Sequence, residues 1–143
     1  DAPGFVAVVD DKHLELPDRP GNNRLDSFQN LDGNPKIALL FVVPGRLETL
    51  RVNGTARLLT APELLARHAV GGKPARAVVE ITATNVYFQC GKALIRSALW
   101  QQEKWPSLEG LATFAEALSE QIKGLDKVAS QTRLEQAYRE TLY

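Results

Sequence analysis

Two arginines, two asparagines, a glycine and a serine crowd residues 17–27, PDRPGNNRLDS. That mixture suits an anion. Gly21 lets the backbone come close to a ligand, the guanidinium groups of Arg19 and Arg24 can fork onto phosphate oxygens, and the start of a following helix presents unpaired amides. The competing reading is a solvated turn in which Asn22 or Asn23 caps the helix and the arginines face water. A second cationic group, Lys92, Arg96 and Ser97, lies in CGKALIRSALW, residues 90–100. If residues 92–99 are helical, Lys92 and Arg96 share a face at i and i+4 while Leu94, Ile95 and Leu99 pack. The bland alternative is a solvated basic turn. His13 and His68 have no second histidine or carboxylate cluster at metal-ligand spacing, so they read as surface or capping groups and no metal site is expected. Cys90 follows an apolar strand with no base partner, which reads as a buried, inert thiol. Glu48, Glu63 and Glu80 fall on different elements, so no acid and base are paired and the catalytic group stays unassigned.

The elements that must position these groups follow from apolar periodicity. Residues 5–10 and 13–16 form two β-prone runs around a polar turn, a hairpin. Pro17, Pro20 and Gly21 break it, and Leu25, Phe28 and Leu31 then recur at helical spacing until Gly33, Asn34 and Pro35. Residues 37–43 are continuously apolar and short, which predicts a central strand. Leu50, Val52, Gly54, Ala56 and Leu58 alternate with Thr49, Arg51, Asn53, Thr55 and Arg57, putting the first row on the core and the second, polar and cationic, outward. Thr60 and Glu63 match a capping box opening a helix that runs to about His68. After Gly71, Gly72 and Pro74, Ala77, Val79, Ile81 and Ala83 alternate in a long strand continuing through Val86 to Cys90. Leu108, Leu111, Phe114, Leu118 and Ile122 then keep helical spacing, and Leu134, Ala137, Tyr138 and Leu142 suggest a second helix. Strands first and helices last predict an α+β fold, with a small antiparallel barrel because the connections are too short for parallel crossovers.

Length and charge narrow the function classes. The chain has 143 residues, enough for one domain, read as residues 1–143 with a barrel body over 1–100 and a helical tail over 101–143. Its 17 basic and 17 acidic side chains cancel, so the field that draws proteins to nucleic acids is missing and any anion site is local. A single cysteine forms no intrachain disulfide, which points to the cytoplasm, and no apolar run reaches the ~20 residues of a membrane helix. The chain has no methionine, even at position 1, and reads as a mature or trimmed product.

PGF at residues 3–5, PDRPGNNRLDS at 17–27, NP at 34–35 and ETLRVNG at 48–54 occur in the order found in one family. The chain resembles the pyridoxamine 5'-phosphate oxidase-like FMN-binding split β-barrels. It is similar in particular to a bacterial subgroup of probable FMN-dependent enzymes, which also carries a segment like CGKALIRSALW and a helical tail ending in Leu and Tyr. The resemblance spans essentially the whole chain. It implies an antiparallel split β-barrel with short helices and a C-terminal helical hairpin, working as a homodimer with FMN at the interface. On this resemblance Pro17, Asp18, Arg19, Asn22, Asn23, Arg24 and Ser27 hold the flavin phosphate. Thr49 takes the place beside the isoalloxazine ring, with Arg51 on the same face, and Lys92, Arg96 and Ser97 come from the second subunit. Trp100 covers the ring edge or packs the interface.

The chain departs from the oxidases in two places. Their basic phosphate-binding segment before the first strand is represented by Asp1 at most, and their final strand with Trp and Arg is replaced by helices. Vitamin B6 oxidation is therefore not assigned. What the resemblance implies is an FMN-dependent oxidoreductase acting on a small molecule, with a deazaflavin as a variant. Two alternatives stand beside it: a non-catalytic flavin or haem-type carrier on the same barrel, and a structural dimerisation module with a vestigial groove.

Overall fold

A computed structural model describes residues 3–140 of the chain. Leu142 and Tyr143 of the tail motif and Asp1 lie outside the described residues. The fold is α+β, an antiparallel split β-barrel followed by helices. Among the described residues, 3–104 form one compact unit and 105–140 another.

In the first unit β1 (Ala7–Val8) and β2 (His13–Pro17) make the expected hairpin. Its turn is tied by Asp10, whose Oδ1 accepts from the amides of Lys12 and His13 at 2.8 and 2.9 Å. Next come α1 (Asp26–Gly33), β3 (Lys36–Phe41), β4 (Thr49–Leu59), α2 (Pro62–Arg67), β5 (Val78–Gln89) and α3 (Lys92–Arg96). All strands are antiparallel in the order β1-β2-β5-β4-β3. The sheet curls until the residues leading into β1 face β3 across a cavity of about 670 Å³, lined by Phe5, Val6, Leu16 and Leu39 among others.

Two sequence expectations change. The apolar run starting at Ile37 is an edge strand rather than a central one, with Leu40 left 52% exposed. Its two apolar faces reflect a barrel side on one and a bare surface on the other. Thr60 does not cap α2: the N-cap is Ala61, with no side-chain bond, and Pro62 supplies the pre-set first turn instead. Among the described residues a capping box is instead found at Thr113, which accepts from the Glu116 amide while Glu116 accepts from the Thr113 amide, opening α4 (Phe114–Gln121). With α5 (Lys127–Glu140) it makes up the second unit.

The core of the first unit lies inside the curl, where Ala56, Val79 and Ile81 pack with Leu14, Leu16, Ile37 and Leu39 and with Phe28 and Leu31 of α1. A smaller cluster on the outer face joins Leu64 and Leu65 of α2 to Leu59, Ala75 and Val78. Burying side chains such as Ile81 and Val78 fully contributes about 1.5–3 kcal/mol each.

Between Asn53 and Gly54 the β4–β5 register shifts, leaving Thr84 as the extra residue of β5. Its hydroxyl donates to the Asn53 carbonyl at 3.1 Å. Beyond this bulge the inward row of β5 moves from odd to even numbers, so Val86 and Phe88 join Val52 and Leu50 while Tyr87 turns outward beside Arg51. The strands approach so closely that a Cβ on Gly54 would sit 2.1 Å from the Thr82 carbonyl oxygen. Gly54→Ala is therefore expected to push the two strands apart and lower the melting temperature by roughly 5 °C or more, measured by circular dichroism.

Candidate functional site

The β4–β5 ladder sorts the sequence-derived site residues into two groups. Pro17 pairs with Val78, and Val78 with Leu59, so the end of β2 lies at the Leu59 end of β4. Thr49 pairs with Gln89 at the opposite end, ten residues away along β4, or about 33 Å of strand. That exceeds the length of a flavin mononucleotide. Along the ladder of one chain the two groups stand at opposite ends.

At the first end the backbone of Asp18 is fixed to the chain before β5: its amide donates to the Ala77 carbonyl and its carbonyl accepts from the Arg76 amide. Asn23 adopts a left-handed conformation, φ 55°, which asparagine tolerates better than most residues. Its Oδ1 accepts from Arg76 Nη1 at 2.8 Å. Asn22 Oδ1 accepts from the Arg24 amide, closing a local turn. Neither asparagine caps α1, whose N-cap is Leu25 without a side-chain bond. Asp26 and Ser27 open this helix, and the Asp26 charge opposes an anion there, so the weight of the expected site shifts from helix amides to guanidinium groups. Arg76 is the residue that sequence reasoning missed. Its signal was the cationic run GGKPAR, read only as a helix breaker.

A second missed feature lies beside this corner. Glu15 is buried, 5% exposed, on the outer face of β2. Its Oε1 accepts from Arg67 Nη2 and its Oε2 meets His68 Nε2, both at 2.7 Å. His68 is thus largely buried against a carboxylate and not a surface group. Burial pushes the Glu15 carboxyl up, but the hydrogen bonds from His68 and then Arg67, with their charges, bring it below its ordinary value. His13 stays at the hairpin, bound to Asp10 at 2.8 Å.

At the second end α3 is clamped to the turn before β4. Trp100 Nε1 donates to the Arg46 carbonyl at 2.7 Å, and Gly91 lies against Leu47 where a Cβ would be 2.7 Å from the Leu47 Cβ. Lys92, Arg96 and Ser97 therefore belong to the Thr49 end of their own chain. Lys92 and Arg96 are exposed, and the Ser97 hydroxyl is spent on the Leu94 carbonyl at 3.2 Å. The helix ends at Arg96, short of Leu99, because Ala98 turns left-handed. Thr49 stays in the outward row with Arg51 but is buried there. The Arg51 Nε is buried and has no hydrogen-bond partner among the described residues. Cys90, expected to be buried, is exposed, because nothing in the described chain covers the final stretch of β5. Val86 and Phe88 there are 55% and 76% exposed.

Among the described residues no group of three His, Cys, Asp or Glu side chains could hold a metal ion, and no helix is long and apolar enough to cross a membrane.

A profile of the family described as pyridoxamine 5'-phosphate oxidase matches residues 1–90. No curated protein matches the chain. Among solved structures, the 1.70 Å crystal structure of tagged HupZ from Group A Streptococcus is 26% identical with a TM-score of 0.49, covering 60% of this chain and 70% of that one. A histidine-to-alanine variant of the same tagged protein, at 1.98 Å, is 27% identical with a TM-score of 0.48, covering 59% and 73%.

The Glu15 network makes stability depend on acid. A carboxyl whose folded value lies below its unfolded one stabilises fully above the unfolded value, near 4.5, and loses that contribution as pH falls through the folded value. Glu15→Gln should lower the melting temperature at pH 7, with a cost of about 1–3 kcal/mol. The gap from the parent protein should close below about pH 4. A gap that stays constant from pH 7 to pH 3 would mean the ion pairs contribute nothing.

Proposed function

The chain belongs to the pyridoxamine 5'-phosphate oxidase family, and from that premise we propose that it is an FMN-dependent oxidoreductase working as a homodimer on a small-molecule substrate. The observation that carries this reading is the buried Arg51 Nε without an acceptor. A buried donor left unpaired costs about 1–3 kcal/mol, and a polar acceptor on a bound ring would remove that cost. It sits on the strand that the family resemblance lays along the isoalloxazine.

The two ends of the ladder give the proposal its form. Pro17, Asp18, Arg19, Asn22, Asn23, Arg24 and Ser27 of one copy, steadied by Arg76, would hold the phosphate. Thr49, Arg51, Lys92, Arg96 and Ser97 of a second copy would line the ring. Thr49 and Arg51 thus travel with Lys92, since all three lie at one end of the chain. The exposed inner face at Val86 and Phe88 supports a second copy covering this end, because soluble monomers seldom leave adjacent large apolar side chains in water.

Bound there, the flavin would supply hydride or electron transfer, so no side chain has to be the reacting group. Arg51, Lys92 and Arg96 would stabilise negative charge on the reduced ring. Phe88 and Val86 would exclude water from it. The cytoplasm is part of the proposal, since a reducing compartment keeps the exposed Cys90 as a thiol.

Titration of the purified protein with FMN should give stoichiometric flavin absorbance, and NADH or NADPH with an acceptor should turn it over. A flavin that binds and is never reduced would point instead to a carrier. Arg51→Ala should weaken FMN binding about 10- to 100-fold, as expected for a lost hydrogen bond to a charged group. Phe88→Asp should elute as a monomer on size exclusion and lose FMN with it. A monomeric parent protein that leaves FMN unbound would overturn the proposal.

A further inference from the structure

The cavity of about 670 Å³ where the barrel is split has no charged or polar side chain in its lining. Leu39 and Phe41 reach it from the inner row of β3, Leu16 from β2, and Phe5 and Val6 from the chain before β1. It also takes in Leu40, Val42 and Val43, so it meets consecutive residues here and not alternate ones. The cavity therefore runs along the edge of β3 and is not confined to its inner face.

One hydrogen bond fixes which backbone groups of β3 face that edge. The Ala56 amide donates to the Pro35 carbonyl at 2.8 Å. Direction alternates along an antiparallel pair, so Ile37, Leu39 and Phe41 turn amide and carbonyl toward β4, while Lys36, Ala38 and Leu40 turn theirs toward the free border. The Lys36 amide is taken there by Asn34 Oδ1 at 3.2 Å. Ala38 and Leu40 have no backbone partner across the border among the described residues. An apolar space thus has strand donors and acceptors along one side. A small hydrocarbon in it would leave those groups desolvated and unpaired, a cost that an extended chain avoids.

We infer that this border and cavity dock an extended peptide of another protein, which adds to β3 as a further strand, sets alternate apolar side chains in the cavity and carries acidic residues at its ends. The inference does not rest on the flavin reading. Charge selects the occupant. Lys36 stands at one tip of β3 and Arg46 past the other, residues 36–47 contain no acid, and neither cation has an ion-pair partner among the described residues. A second copy pairing through the same edge, about a two-fold centred on Leu40, would set Lys36 of each chain opposite Pro44 of the other, which has no amide to give. It would also bring Lys36 beside the turn that carries Arg46, like charge against like at both ends. A peptide with acidic ends meets attraction at both.

A fluorescein-labelled, end-capped peptide of alternating valine and threonine with an aspartate at each end tests the site by fluorescence anisotropy. The parent protein should bind it. With valines in the cavity, the threonine nitrogens face β3, so methylating them should weaken binding about tenfold or more, and methylating the valine nitrogens should weaken it far less. Replacing both aspartates by lysine should also weaken binding, by a factor that shrinks as salt is added. Leu40→Pro removes an amide that faces the border and takes no part in the β4 ladder, so its circular dichroism should match the parent while peptide binding is lost. Absence of peptide binding to the parent, or equal binding of the threonine-methylated peptide, would overturn the proposal. Equal binding of the lysine-ended peptide at low salt would overturn it as well. A parent dimer that dissociates on Leu40→Pro would assign the border to a second copy, and binding of a small apolar dye without peptide binding would assign the cavity to a small molecule; either result overturns the peptide. Should Leu40→Pro fail to fold, the two methylated peptides decide between the outcomes on the parent protein.

Discussion

The antiparallel pairing of β4 with β5 is the constraint on which the rest depends. It runs from Thr49 opposite Gln89 to Leu59 opposite Val78, and every group of chemical interest is attached near one of its ends. At the Leu59 end stand the arginine corner, α2 and the Glu15 network; at the Thr49 end stand Arg51 and α3. A ladder of this length acts as a spacer. It keeps the arginine corner and the Arg51 end apart, and the proposed reading assigns them to two different copies of the chain.

The bulge at Asn53/Gly54 adjusts what each half presents. Had β5 kept a strict period of two, Tyr87 would have pointed inward and Phe88 outward. The extra residue Thr84 reverses this, so the apolar Phe88 continues the barrel lining and Tyr87 stands beside Arg51 on the outer face. A single additional residue therefore separates an apolar end of the barrel from a polar surface next to it. Gly54 permits the crossing because a side chain there would occupy the position of a backbone carbonyl.

Much of this was legible in the sequence, and the misses have physical reasons. Alternation from Leu50 to Leu58 located β4 and its inward row, and the crowding of Arg, Asn and Gly after β2 marked the cationic corner. Alternation placed Thr49 in the outward row but left its burial unread, because period two says nothing about what later folds over a strand end. The run from Ile37 was placed in the centre because continuous apolarity means two covered faces, whether the cover comes from the same chain or another. The parity change between Ala83 and Val86 was visible in the residue types, but an ordinary strand offers no reason to read it as a bulge. Arg76, His68 and Glu15 stayed hidden since they are 53 residues or more from the partners that give them meaning or, for Glu15, because a lone acid in a hairpin strand reads as solvent-facing.

One consequence concerns the solitary chain. β3 is an edge strand, and its exposed row, Leu40 together with Val42 and Val43 beyond it, is apolar. It carries none of the usual guards except Lys36 at one tip and Pro44 past the other. A copy that has just left the ribosome offers this border to any extended segment that meets it. Such a border invites aggregation. Whatever covers that border would then matter to the survival of the folded chain before it matters to any chemistry.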